Sequence, residues 1–103
     1  MFGTIGHARP KPGTDAKFDV LMEDWQRTIR PQIPGKVVQL MGRPKDRPDE
    51  IVFIALMQDE ETYRNLANNP DQDAWYRKLM ELVDGEITWE DVEMALNDSQ
   101  PDR

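Results

Sequence analysis

Ile51-Val52-Phe53-Ile54-Ala55-Leu56-Met57 is an unbroken apolar run between the polar pairs Asp49-Glu50 and Gln58-Asp59. Its length suits a strand, and in a strand successive side chains point to opposite faces. Ile51, Phe53, Ala55 and Met57 would share one face, and Val52, Ile54 and Leu56 the other. A strand in a sheet with one wet face alternates apolar with polar residues instead. Leaving the second set in water would forgo about 1.5 to 3 kcal/mol per large side chain, in a domain whose whole stability is about 5 to 15 kcal/mol. Both faces of this strand are therefore expected to be covered. The chain's own helices can cover one, and the expected cover for the other is a second copy of the chain.

Size and charge narrow the classes. A chain of 103 residues holds one domain. Its 13 Lys and Arg are scattered among 20 Asp and Glu, for a formal charge of -7. Such a surface repels phosphate backbones and anionic lipid, which argues against nucleic-acid and membrane roles. There is no apolar run of the roughly 20 residues a membrane helix needs. The Met1-Phe2-Gly3-Thr4-Ile5 opening lacks the basic segment and apolar stretch of a signal peptide, so a cytoplasmic location is expected. With no cysteine and only His7 as an imidazole, a zinc or iron centre is not expected.

Upstream of the run, Met1 to Arg9 reads as a strand with Phe2, Thr4, Gly6 and Ala8 on one face and Gly3, Ile5, His7 and Arg9 on the other. The small residues on it would let a helix, a partner or a ligand come close to the backbone. Pro10-Lys11-Pro12-Gly13 ends it. Thr14 is the expected N-cap of a helix that carries Phe18, Leu21, Met22, Trp25 and Ile29 at helical spacing and ends near Thr28 to Arg30, before Pro31. Lys36 to Gly42 is a second strand, again apolar on both faces. Arg43 to Asp49 is a polar hairpin loop.

Downstream, Asp59 is placed to cap a short helix with Glu60 and Glu61 in its first turn. Asn69-Pro70 interrupts that helix. A further one is expected from about Asp71 or Asp73 to Val83, closed by Asp84-Gly85. Glu86 to Met94 fits either a strand or a helix capped by Thr88; a strand with a bulge near Glu90-Asp91 completes a sheet and is the favoured reading. Asn97 to Arg103 is a polar tail after a domain spanning residues 1–96. The order β-α-β-β-α-α-β makes an α+β fold, a ferredoxin-like split βαβ sandwich with a four-stranded antiparallel sheet and all helices on one face. Pairing two such sheets face to face would give a dimeric α/β barrel.

Phe2-Gly3-Thr4-Ile5, Lys11-Pro12-Gly13, Trp25, Ile33-Pro34-Gly35, Asp59-Glu60-Glu61-Thr62-Tyr63, Asn69-Pro70, Asp73-Ala74-Trp75-Tyr76-Arg77 and Asp84-Gly85-Glu86 together resemble the antibiotic biosynthesis monooxygenase-like domains of the dimeric α/β barrel superfamily. The likeness covers nearly the whole chain, and its motifs are specific for fold more than for chemistry. It implies a homodimer through the sheet face, with a pocket in each subunit between sheet and helices. It also implies a cofactor-independent monooxygenase-like protein acting on a small aromatic or polyketide-type compound, with no metal and no flavin. A non-catalytic dimeric small-ligand-binding domain of the same superfamily is the alternative. The haem-degrading branch places Asn, Trp and His where this chain has Gly6, Leu66 and Tyr76, so haem degradation is disfavoured.

Within that resemblance the candidate catalytic residues are His7, Tyr76 and Asn69, and the candidate substrate-binding residues are Trp75, Tyr63, Trp25 and Arg77. Oxygenation of an acidic phenol asks little of the protein: accept a proton, stabilise an oxyanion and exclude water. His7 is the one residue of the type that titrates near neutral pH, and it sits on a Gly-rich strand. Tyr63 and Tyr76 carry hydroxyls able to donate to an oxyanion, although tyrosines at helical spacing more often sit in a core with the hydroxyl at its rim. Tryptophans on an amphipathic stripe are usually packing, Asn69 before a proline is usually helix-end chemistry, and a solvent-facing or core-satisfied imidazole is the plainer account of His7. Met22, Met41, Met57 and Met80 would line an adaptable cavity or fill gaps. A cavity of several hundred cubic ångströms with His7 and a Tyr or Asn pointing inward would favour the enzyme, and one filled by Met and Trp the binding domain.

Overall fold

Proline and glycine punctuation divides the chain into four strands and three helices, and the computed structural model describes residues 1–97 of them. Residues 98–103 of the expected polar tail lie outside the described residues. The strands are β1 (Phe2–Pro10), β2 (Val38–Gly42), β3 (Ile51–Met57) and β4 (Val83–Glu93); the helices are α1 (Asp15–Thr28), α2 (Glu60–Ala67) and α3 (Pro70–Glu81). A single 3₁₀ turn, Arg30–Gln32, follows α1 where Pro31 denies the helix a continuation. The sheet order is β2-β3-β1-β4 with every neighbouring pair antiparallel. This is the α+β ferredoxin-like arrangement expected from the element order. No described helix is long and apolar enough to cross a membrane.

Register assigns each side chain to a face. One set of rows across the sheet reads Met41–Phe53–Gly6–Trp89 and Gln39–Ala55–Thr4–Asp91. The opposite set reads Leu40–Ile54–Ile5–Glu90 and Gly42–Val52–His7–Thr88. The first face meets the helices: Phe18, Trp25 and Ile29 of the α1 segment join Phe53, Met57 and Ala8 in one buried core with Leu66, Trp75 and Leu79. The apolar stripe expected on α1 is thus the face it buries. On the other face Leu40 is 58% exposed while Ile54, Val52 and Ile5 are half-buried.

Several local expectations are corrected. Thr14 does not cap α1, because its hydroxyl donates to the Lys11 carbonyl at 2.7 Å and so closes the Pro-rich turn instead. β1 continues through Pro10: a proline is tolerated at a strand end, and Lys11 N–H donates to the Leu82 carbonyl at 2.8 Å beyond it. α3 begins earlier than expected, at Pro70, because Asn69 is its N-cap and accepts from Asp71 N–H at 2.8 Å. It also ends earlier, at Glu81, and Val83 already pairs with Pro10. Gly85, at φ +73°, sits where the β1–β4 register shifts, so it forms a strand bulge rather than a helix stop, and no bulge falls at Glu90-Asp91. Asp59 does cap α2, accepting from Thr62 N–H at 2.9 Å and from its hydroxyl at 2.7 Å.

Candidate functional site

Short side chains on the helix-facing rows create a hollow. Ala55 and Thr4 stand side by side where larger residues would fill the space up to the helices, and a cavity of about 320 Å³ lies over them. Phe53 and Met57 of β3 form its apolar floor with them, and Met41 and Gln39 of β2 reach it from the sheet edge.

Its roof is an interlocked pair of indoles. Trp25, late in α1, and Trp75, in the second turn of α3, meet edge to face with ring centroids 6.5 Å apart. Each N–H is spent holding the other helix: Trp25 Nε1 donates to Gln72 Oε1 at 2.9 Å and Trp75 Nε1 to the Leu21 carbonyl at 2.8 Å. Both rings are buried, at 2% and 7% exposure, which is the condition under which an indole N–H needs a partner.

Three hydroxyl-bearing residues line the cavity. Thr4 Oγ1 donates to the Glu90 carbonyl at 3.1 Å and Tyr63 OH to Asp91 Oδ1 at 3.0 Å. Tyr76 OH accepts from Trp89 Nε1 at 3.0 Å. Burial, followed by the hydrogen bond to the Asp91 carboxylate and the repulsion of its charge, raises the Tyr63 phenol above its ordinary range; Thr4 and Arg64 pull it weakly back. Tyr63 is therefore a neutral donor held in place by Asp91, which Arg64 also approaches at 3.6 Å. Among the described residues that line the cavity none is His, Lys, Arg, Asp or Glu. A ligand there meets aromatic walls, thioethers, amides and hydroxyls, with no charged base beside it.

Four of the seven residues singled out from the sequence come together: Trp25, Trp75, Tyr63 and Tyr76 all line the cavity. His7, Asn69 and Arg77 do not. His7 lies on the face of the sheet away from the helices, between Val52 and Thr88, 43% exposed and 3.9 Å from Glu50. Asn69 spends its side chain on the α3 cap and on Gln32, to which it donates at 2.9 Å. Arg77 is 79% exposed and pairs with Asp73 at 3.1 Å, a turn earlier on its own helix. Thr4 and Phe53 line the cavity without having been singled out as site residues, and Trp89, a candidate aromatic wall by its type, lines it too. Their place on the even positions of β1 and the odd positions of β3 and β4 was legible, but not which face the helices would choose.

Fold and cavity together define a ferredoxin-like α+β domain with a ligand-sized chamber between its sheet and its helices. No family model matches the chain, and no curated protein matches it in sequence. Solved structures do match. A conserved protein from Methanosarcina mazei Go1 superposes with a TM-score of 0.76 over 91% of this chain and 92% of its own, at 13% identity. A Caulobacter crescentus CB15 protein provisionally named an antibiotic biosynthesis monooxygenase gives 0.76 over 92% and 90%, at 14% identity. Another of that provisional name, from Deinococcus radiodurans, gives 0.69 over 97% and 100%, at 17% identity. The chain has the fold of these antibiotic biosynthesis monooxygenase structures, as the sequence resemblance implied.

Proposed function

We propose that the cavity binds a small planar phenol of aromatic or polyketide type and that the protein acts on it as a cofactor-independent monooxygenase. The observation that carries this reading is an apolar chamber of about 320 Å³, walled by Trp25 and Trp75, with Tyr76 on its lining. Aromatic walls and few polar groups suit a flat aromatic guest. With no charged base on the described lining, the guest must be acidic enough to ionise in solution or against water in the chamber. Tyr76 then donates to the resulting oxyanion, which leaves the carbon framework rich enough to pass electrons to dioxygen. For an anthrone, one dioxygen takes two hydrogens from the methylene carbon, leaving a carbonyl there and releasing one water.

The same missing base, together with a lining that carries Met22, Met41, Met57 and three tryptophans but neither His7 nor Asn69, favours a second reading, the non-catalytic ligand-binding domain, in which the phenol is held without turnover. Oxygen uptake separates the two. With anthrone as probe, the wild-type protein is expected to consume oxygen above the buffer rate, and Tyr76→Phe to lower the rate by about a hundredfold, the scale for one lost oxyanion donor. Quenching of tryptophan fluorescence by the same compound without oxygen uptake would overturn the enzyme and leave the binding domain.

We also propose that a second copy of the chain covers the outward face of the sheet. Leu40, Ile54 and Ile5 make a continuous apolar row there that nothing in the single chain covers fully. Sedimentation at micromolar concentration is expected to return a dimer, and a stable monomer would overturn this reading.

A further inference from the structure

Among the hydroxyls of the cavity, Tyr76 differs in what it does with its proton. Thr4 and Tyr63 donate theirs to the Glu90 carbonyl and the Asp91 carboxylate. Both bonds are made within the chain, and neither proton is free for a guest. Tyr76 is engaged as an acceptor from Trp89 Nε1, and among the described residues its own proton has no protein acceptor. A hydroxyl that accepts one hydrogen bond becomes a better donor in the next, because each bond polarises its neighbour.

The indole that does this is held by the sheet. Trp89 lies on β4 directly across from Gly6 of β1, and its six-membered ring occupies the space where a β-carbon on Gly6 would be. On the other side of Gly6, Phe53 brings its ring to a centroid distance of 6.4 Å from Trp89. The Tyr76 ring is 6.0 Å from the same indole. Glycine in this central strand thus serves a side chain of the protein: it lets the six-membered ring of the indole come against the strand, and a β-carbon there would displace the ring and its N–H.

We propose that Trp89 is a positioning residue for Tyr76, and that through it the cavity selects guests that present an ionised or strongly accepting oxygen over neutral phenols. This rests on the reading of the cavity as a phenol site and adds the protonation state of the guest. Trp89 does not touch the reacting carbon; it fixes the direction of the Tyr76 hydroxyl and strengthens it as a donor. Gly6 contributes at one remove by leaving room for the indole.

The test uses the full chain and 4-nitrophenol, whose neutral and ionised forms absorb at different wavelengths, so that both are followed across a pH series. Wild type is expected to bind the ionised form more tightly than Trp89→Phe by roughly tenfold, the scale of a hydrogen bond to a charged group, and the neutral form equally. Tyr76→Phe should lose the same preference, and the double variant should lose nothing further, as for two residues acting through one bond. The Trp89 indole N–H, followed by NMR without ligand, should lose its hydrogen-bonded shift in Tyr76→Phe. Equal loss of both forms in Trp89→Phe would mark a merely structural role and overturn the inference, as would a preference that survives in that variant. Either result leaves the phenol site standing. Absence of binding of both forms by wild type would overturn the phenol site together with this inference.

Discussion

The two faces of the sheet are made from the same strands and are shaped differently. On the helix-facing side large residues alternate with small ones, Phe53 and Trp89 beside Gly6, Ala55 and Thr4, so that helices pack at the ends and leave a chamber between. On the outward side the central row is uniformly branched or long, Leu40, Ile54 and Ile5, with no helix above it. Apolar surface with depth takes a small guest, and apolar surface without depth takes another surface. The contrast in these central rows is one of side-chain size. It also assigns His7: an imidazole on the flat face is a feature of that surface, and His7 is not on the chamber's lining.

Neighbouring residues on β3 test the contrast directly. Phe53→Ala removes a buried ring from the helix-facing core and should cost about 3 to 5 kcal/mol of stability, read as a fall in the denaturation midpoint. Ile54→Arg, next along the strand and facing the other way, should convert a dimer to a monomer in sedimentation while the chain stays folded by circular dichroism. If Ile54→Arg unfolds the chain as severely as Phe53→Ala, the outward face is core and the distinction fails. His7→Ala should leave oxygen uptake on anthrone unchanged, and a loss of uptake would show that the two faces communicate.

Much of this was legible before any coordinates. The apolar run of residues 51–57 announced a strand, the spacing of Phe18, Leu21 and Trp25 announced the helix that covers one of its faces, and Asp59 announced the start of α2. The alternation on β1 correctly set His7 apart from Gly6. What composition could not decide was which of the two sets faces the helices, because small and apolar residues occur in both. That choice depends on β1 pairing with β3 and β4 at once, a long-range matter of register. His7 was a candidate by its chemistry, and its parity places it on the face away from the helices. Asn69 and Arg77 had commoner local duties, capping and an ion pair at i,i+4, and the structure finds them engaged in those. The end of α3 was misplaced because Leu82 and Val83 suit a helix stripe and a buried strand equally well, and pairing of Val83 with Pro10 decided between them.

The smallest expected effect sits at the rim of the chamber, where the helix-facing side meets solvent. Tyr63 donates to Asp91 there, and its phenol is raised because burial and the neighbouring carboxylate both disfavour the phenolate. A raised acid loses its proton later in the folded chain than in the unfolded one. Its contribution to stability is therefore whole below the ordinary tyrosine value of 10.0 and is lost as the pH climbs from there through the folded value. Tyr63→Phe removes both the hydrogen bond and the titration. At neutral pH it should cost only about 0.5 to 1 kcal/mol, since the bond lies at an exposed edge and Asp91 keeps Arg64. Above pH 10 the gap between wild type and variant should shrink toward zero, as the wild type loses what the variant never had. Urea denaturation midpoints at neutral and alkaline pH measure that convergence. A gap that stays constant would mean the Tyr63–Asp91 bond is too wet to be felt, and that the protected side of the sheet ends short of Tyr63.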